Sequence, residues 1–424
     1  MYKLESVTIN NFWHRFTASS NFNQDVNIII GKNGTGKTTF MNILQSVLSV
    51  SIDEIATYDF ESIEIKLRNG QKRKTIKAKI IDNGPASSPM VEYQISRKKY
   101  SVRLFAPDER RFSAFQKRKA FEQSEDLRNE LASLVSLSSL SVYRLRSGEE
   151  LEIRDRNGTR SINPVDFRLT QLLQLLTTFQ LELSQEARHI ASDLQKEVLS
   201  SILYTNDDKS NRKVAWEFDR EREKKNLTSA FTRLNAIDSR VRKKIAKHVD
   251  KIDETIAHIR ESEANKTRPS FEKIDFTALD AYRNTQKIIE MSLNAEKRTS
   301  KVYAPITLFV EILKEFITDK EFHFDNGKLS VSNELGGIAF DALSSGEKQL
   351  LILFIETLLQ RNQPYVFLTD EPELSLHISW QRSIIPAIKR LNPNAQVIAA
   401  THSPEVASKY RNSICNMEKV ISVR

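Results

Sequence analysis

One octapeptide constrains the fold more than any other feature: Gly31-Lys32-Asn33-Gly34-Thr35-Gly36-Lys37-Thr38. It fits the pattern Gly-x-x-x-x-Gly-Lys-Thr in full. It lies between a β-branched run, Val26 to Ile30, and a helical pattern from about Lys37 to Leu48. Strand, glycine-rich turn and helix in this order make a phosphate cradle. The glycines let consecutive N–H groups point inward, and the helix N-terminus adds a favourable dipole. Lys37 is expected to bridge the β- and γ-phosphates of a nucleotide, and the Thr38 hydroxyl to ligate Mg²⁺. Asn33, Gly34, Thr35, Gly36, Lys37, Thr38 and Thr39 form the expected binding set. A chance Gly-rich turn is the alternative, and the flanking strand and helix weigh against it.

Three further segments carry chemistry. Tyr365-Val366-Phe367-Leu368-Thr369-Asp370-Glu371 is an apolar strand ending in two acids. Ligands of parallel sheets bind at such strand ends. Asp370 is expected to hold Mg²⁺ through water, and Glu371 to polarise an attacking water as general base; paired acids can also simply cap the next helix. Leu343-Ser344-Ser345-Gly346-Glu347 places small residues before a helix, a second anion-seeking N-terminus that an ordinary Ser cap would also explain. Ala400-Thr401-His402-Ser403-Pro404 follows a short strand pattern, Gln396 to Ala399. His402 there can reach a γ-phosphate, although a lone histidine is more often structural.

The rest of the chain falls into three parts. Lys3 to Asn10 alternates apolar and polar residues, and strand patterns recur at 62–67, 74–81, 91–96 and 101–105, with a hairpin signal at Asn69-Gly70. From about Arg111 the pattern turns helical, with a brief return to strand at 138–145 and 151–154. Leu176, Phe179, Leu183, Ala187, Ile190, Leu194 and Val198 then repeat at spacings of three and four. After the polar stretch 204–211, a second series runs from Leu227 to Ile259. Two such arms predict an antiparallel helical hairpin over about 165–264, roughly 60–75 Å long at about 1.5 Å per residue. The same pattern also fits an ordinary helical bundle packed on the core. A second hairpin signal, Asn326-Gly327, opens the C-terminal part. The expected division is 1–110, a helical insertion at 111–300, and 301–424.

Composition narrows the classes. The 424 residues contain no run of about 18 apolar residues, and the N-terminus has no apolar signal core, so no membrane association is expected. The lone Cys415 excludes an intramolecular disulfide and suits a reducing, cytoplasmic setting. The net charge of +9 concentrates in two stretches: residues 97–119, and residues 211–251, where Arg240, Arg242, Lys243, Lys244 and Lys247 crowd together. These fit nucleic acid, an acidic protein, or a solvated helix face.

The order of the segments (phosphate loop, LSSGE, Asp-Glu, Thr-His) resembles the ABC-class ATPases, more narrowly the recombination and structural-maintenance-of-chromosomes branch. There a helical insertion splits the nucleotide-binding head. The wording LSSGEKQLL and DEPELSLH is similar to RecF-like and overcoming-lysogenization-defect-type bacterial ATPases, a group that includes standalone phage-defence ATPases of the Septu, PARIS and retron types. The resemblance covers roughly residues 1–50 and 320–410. It implies an α/β fold: an ABC-type head, with a phosphate-loop sheet and antiparallel strands, split by a helical, coiled-coil-like hairpin. It implies ATP and Mg²⁺ as ligands, hydrolysis to ADP and phosphate, and a head-to-tail homodimer. In that dimer Ser344, Ser345 and Gly346 of one copy meet the γ-phosphate held by the other.

Two departures stand out. The family's glutamine loop has no clear match, Gln94 and Gln116 being the candidates. His377 stands where many relatives have an aspartate, which leaves communication between the two sites open. For the adenine, the turn Asn11–Phe16 offers Trp13, His14 and Arg15, of which Arg15 is the choice. Three contexts compete: a phage-defence sensor controlling a separate effector, a repair ATPase acting directly on DNA, and an ATP-binding scaffold with little turnover. Twenty-two residues follow His402. The metal-nuclease domain fused to overcoming-lysogenization-defect proteins is therefore not expected here, and a toxic activity is expected from another chain.

Overall fold

The β-branched stretches of the sequence become the centre of a parallel sheet. The computed structural model of the chain describes residues 1–81, 89–104, 122, 124–139, 151–155, 158–201, 218–234, 236–264, 276–373 and 377–423. Strands β3 (Val26–Ile30), β8 (Leu137–Ser139), β14 (Val366–Asp370), β15 (Gln396–Ala400) and β16 (Ile414–Asn416) form one sheet in the order β16-β3-β15-β14-β8, every pair parallel. All five residues of β14 and of β15 are buried, as expected of strands covered on both faces.

A second, antiparallel sheet has the order β17-β2-β1-β4-β5-β6-β7. Its strands are β1 (Lys3–Phe12), β2 (Phe16–Asn21), β4 (Ser62–Asn69), β5 (Lys72–Ile81), β6 (Met90–Ile95), β7 (Lys98–Arg103) and β17 (Ile421–Val423). Two small sheets complete the inventory among the described residues: β9 (Leu151–Asp155) with β10 (Gly158–Ile162), and β11 (Glu321–Asp325), β12 (Lys328–Asn333) and β13 (Gly336–Ile338). Both Asn-Gly hairpins form. Asn326 and Gly327 have φ of 48° and 82°, the doubly positive backbone that a two-residue turn requires.

Helix α1 (Lys37–Ser49) lies between the two large sheets. Phe40, Ile43, Leu44, Val47 and Leu48 recur at spacings of three and four. They are buried in one cluster with Ile63 and Ile65 of β4, Leu368 of β14 and Ile398 of β15. Each such side chain stabilises by roughly 1.5–3 kcal/mol. The hydroxyl of Tyr93 donates to the carbonyl of Val47 at 2.9 Å, fixing the C-terminal end of α1 to β6.

The two sheets are also stitched by one amide. The fully buried Gln396 accepts from Leu4 N at 2.7 Å and donates to Leu4 O at 2.8 Å and Asn23 O at 2.7 Å. Gln396→Leu takes the acceptor from Leu4 N–H in the interior and one of two donors from each of the carbonyls of Leu4 and Asn23, which keep Gln24 and Asn27. It is expected to cost about 2–4 kcal/mol in chemical denaturation; a loss below about 0.5 kcal/mol would contradict this assignment.

Two compact units divide the chain: residues 1–177 with 308–424, which hold everything above, and residues 178–307. Helices α2 (Pro164–Ser200) and α5 (Phe276–Phe316) each run from one unit into the other; α3 (Arg220–Arg233) and α4 (Ser239–Ala264) lie within the second. The polar stretch at 204–211 is outside the described residues. The helices on either side of it pair differently from the two expected arms. Ile190 and Leu194 of α2 pack on Ala295 of α5, and Arg298 of α5 pairs with Asp193 of α2 at 3.7 Å. The expected second arm is two helices, α3 and α4, whose Leu227, Ile245, Val249, Ile252 and Ile256 cluster with Tyr282 and Ile289 of α5. A cap causes the break. Asp238 accepts from Val241 N at 2.6 Å and starts a new helix. The apolar spacing runs on through this break, so periodicity alone does not reveal it. The stretch 378–391 likewise holds two short helices, Ile378–Gln381 and Ile384–Leu391.

Candidate functional site

The C-terminal ends of neighbouring parallel strands bring three of the chemical segments together. The loop after β3 carries the phosphate cradle. The end of β15 carries His402, and the end of β14 carries Asp370 and Glu371.

In the cradle, Gly34 and Gly36 have φ of 80° and 85°, backbone that suits glycine. A Cβ at Gly36 would come within 2.8 Å of the Trp13 ring and 3.0 Å of Phe12, so this position admits only glycine. Gly36 is the N-cap of α1. No side chain caps this terminus, and no acidic residue occupies its first turn. The first-turn N–H groups are thus left for an anion. Lys37, 5% exposed, donates to the carbonyls of Gly31 at 2.8 Å and Lys32 at 3.1 Å. Burial pushes its ammonium below the usual lysine range, an effect that the nearby Asp370 and Glu371 oppose. Thr38 is exposed beside it.

Glu371 departs from ordinary backbone. Its φ is 46°, and its N–H donates to the carbonyl of Ala400 at 2.6 Å, just past the last β14–β15 pair, Asp370 with Ala400. This conformation aims the carboxylate towards the histidine: Glu371 Oε1 lies 3.8 Å from His402 Nε2. Asp370 is buried at the strand end, 5% exposed.

The donor set fits a hard cation of modest protein ligation. Among the described residues no group of three or more His, Cys, Asp or Glu is arranged to hold a metal. The Thr38 hydroxyl and the Asp370 carboxylate suit Mg²⁺, which takes one or two protein oxygens and completes its shell with phosphates and water.

The Ser344 segment begins helix α6 (Ser345–Leu359). Ser344 forms a full capping box: its Oγ accepts from Glu347 N at 3.3 Å, and its N–H donates to Glu347 Oε2 at 2.8 Å. Lys320 pairs with Glu347 at 2.7 Å. Burial alone would raise the Glu347 carboxyl; the bonds from Lys320 and Ser344 outweigh it and hold the group below its usual range. Ser344 and Ser345 are exposed. Among the described residues, no hydrogen bond or ion pair joins 344–348 to the phosphate loop of the same chain; their partners are Lys320, Asp341 and Asp166.

Other expected residues fall elsewhere. Arg15 is exposed in the β1–β2 turn, and it is Trp13 of that turn whose ring lies against Gly36. Gln94 is exposed on β6 in the antiparallel sheet and bonds to Ser96 O at 3.1 Å; Gln116 is outside the described residues. His377 caps the short helix at 378–381, its ring nitrogen accepting from Ser379 N at 3.3 Å. Residues 105–119 of the first basic stretch and 211–217 of the second are outside the described residues. On α4, Arg240, Lys243, Lys244 and Lys247 are exposed on the face opposite the buried Ile245, Val249 and Ile252.

One residue of the site gave no sequence signal. Glu373 Oε1 accepts from Thr401 Oγ1 at 2.5 Å, from His402 N at 3.0 Å and from Ser403 N at 3.0 Å. A single glutamate after Asp-Glu-Pro has no partner at any periodic spacing, and its bonds close only when β14 and β15 pair.

Together these features define a phosphate-loop nucleotide site on a split α/β head. A family model described as AAA ATPase domain matches residues 2–407, so the chain belongs to that family. It is 41% identical over 75 residues to the retron Ec83 probable ATPase of Escherichia coli, a stretch covering 15% of this chain and 14% of the relative. It is 34% identical over 108 residues to the Septu protein PtuA of Bacillus thuringiensis, covering 22% of this chain and 27% of the relative. The chain thus spans under a third of the length of either curated relative. Similar solved structures include the Smc head domain of Pyrococcus furiosus with an extended coiled coil, bound to the C-terminal domain of ScpA (TM-score 0.44, 13% identity, 96% of this chain and 92% of that one). The SMC head domain of Thermotoga maritima gives a TM-score of 0.38 at 11% identity, over 96% and 91% of the two chains. No helix among the described residues is long and apolar enough to cross a membrane.

Proposed function

We propose that this protein is a Mg²⁺-dependent ATP hydrolase that works as a nucleotide-gated homodimeric switch. One observation carries the reading: Lys37, Asp370, Glu371 and His402 converge at neighbouring strand ends, while the exposed Ser344 helix start makes no bond to the phosphate loop of its own chain. In this reading the acids and the histidine come from the chain that holds the nucleotide, and the signature helix start comes from elsewhere. A second copy, arranged head to tail, supplies Ser344, Ser345 and Gly346 to the γ-phosphate.

The chain's own groups divide the work. Lys37 exchanges its carbonyl partners for phosphate oxygens, and the uncapped α1 terminus adds N–H donors. Thr38 and Asp370 would hold Mg²⁺, which when bound would supply charge neutralisation at the phosphates. Glu371 orients and deprotonates the attacking water, and His402 donates to the γ-phosphate. Hydrolysis weakens the bridge between the copies, which makes the dimer a switch.

The likeness to segments of two phage-defence proteins supports a role as a defence sensor that controls a separate effector, such as a toxin or nuclease. Light scattering tests the switch. With ATP and Mg²⁺ the mass doubles, and Ser344→Arg, which places a bulky side chain at the proposed interface, stays monomeric. A Ser344→Arg protein that doubles like the wild type would refute the head-to-tail arrangement. The same measurement with a short duplex tests the alternative, direct action on DNA, which the cationic face of α4 favours. A complex that persists at moderate salt supports that alternative, and its absence counts against it.

A further inference from the structure

We propose that Glu373 is a positioning residue that sets the catalytic base and the histidine relative to each other. The proposal rests on the hydrolase reading above and adds a residue to it. Glu373 sits two residues after Glu371, and the buried Pro372 between them has a fixed φ. Its Oε1 gathers three donors in a row from the opposite loop: the Thr401 hydroxyl and the N–H groups of His402 and Ser403. Thr401 is 1% exposed, and Glu373 Oε2 is buried with no hydrogen bond among the described residues. A single carboxylate oxygen therefore fixes the backbone that carries His402, while its own backbone carries Glu371.

The surroundings stiffen this latch. Ser403 N–H is shared between Glu373 and Thr401 Oγ1, and Ser403 Oγ donates to Gln381 Oε1 at 2.8 Å. Glu371 is tied to Ala400 on the near side. The two loops thus meet at the Glu371–Ala400 bond and again at Glu373. His402 projects between these ties, and its 3.8 Å approach to Glu371 depends on both. Among the described residues Glu373 makes no bond to the phosphate cradle, so it acts through His402 and not on the nucleotide.

Glu373→Gln is the test, because it keeps the shape while replacing the charged carboxylate that holds the three donors with a neutral amide, whose NH₂ takes the buried place of Oε2. In nucleotide-free protein, hydrogen exchange of the 401–403 amides is expected to speed up about tenfold or more, with exchange at residues 31–39 unchanged. In turnover, kcat is expected to fall about ten- to hundredfold while KM and nucleotide affinity hold. If Glu373→Gln does not fold, Thr401→Val removes one donor and is expected to speed the same amides. Thr401→Ser, which keeps a hydroxyl, restores slow exchange. Unchanged exchange at 401–403 in the variants, or a changed KM with unchanged kcat, overturns the proposal. If the variants show the exchange effect but the wild-type protein turns over no ATP, the hydrolase reading is refuted and the latch stands.

Discussion

An alanine at position 37 is expected to remove nucleotide binding from an otherwise folded protein. Lys37 is nearly buried, feels the charges of Asp370 and Glu371, and among the described residues its ammonium bonds to two carbonyls of its own loop. Both carbonyls belong to the loop itself and no strand or helix of the core depends on these two bonds, so folding is expected to survive the change. Charge-assisted hydrogen bonds contribute roughly 1.5–3 kcal/mol each. Losing two at the phosphates weakens affinity by about a hundredfold or more. Isothermal titration with a non-hydrolysable ATP analogue reads this directly. Wild-type affinity in Lys37→Ala would contradict the assignment of the cradle.

Glu371→Gln is expected to separate binding from chemistry. The strained backbone of Glu371 is held by its N–H bond to Ala400, which glutamine keeps. What is lost is the carboxylate that faces His402, the group proposed to take the water's proton. A general base contributes about 10²- to 10⁴-fold, so turnover falls by that order while nucleotide affinity holds. Because the γ-phosphate persists, the variant accumulates as the ATP-bound dimer. Turnover at the wild-type rate would show that another group acts as base.

The legibility of this molecule in its sequence followed the range of the interactions. The cradle, the acid pair and the strands β3, β14 and β15 are written in contiguous residues, because β-branched runs and glycine spacing act locally. The helical stretch was legible as helix but not as pairing. The 3-and-4 spacing of Leu227 to Ile256 is blind to the Asp238 cap that divides it, and to α5, whose Tyr282, Ile289 and Ala295 supply the opposing apolar surface. Glu373 and Gln396 were invisible for a related reason. Their partners lie 28 to 392 residues away along the chain, and no local pattern encodes such bonds. At the turn beside the cradle, the sequence offers Trp13, His14 and Arg15 alike; it is Trp13, with a backbone φ of 52°, whose ring lies against Gly36.

The bridging of one ATP by two copies is the claim on which the rest depends. A structure of Glu371→Gln solved with ATP and Mg²⁺ measures it most directly. The account predicts each γ-phosphate bonded on one side by Lys37 and on the other by Ser344 and Gly346 from the second copy. A nucleotide-loaded assembly in which no Ser344 reaches a phosphate held by another chain's Lys37 would contradict it.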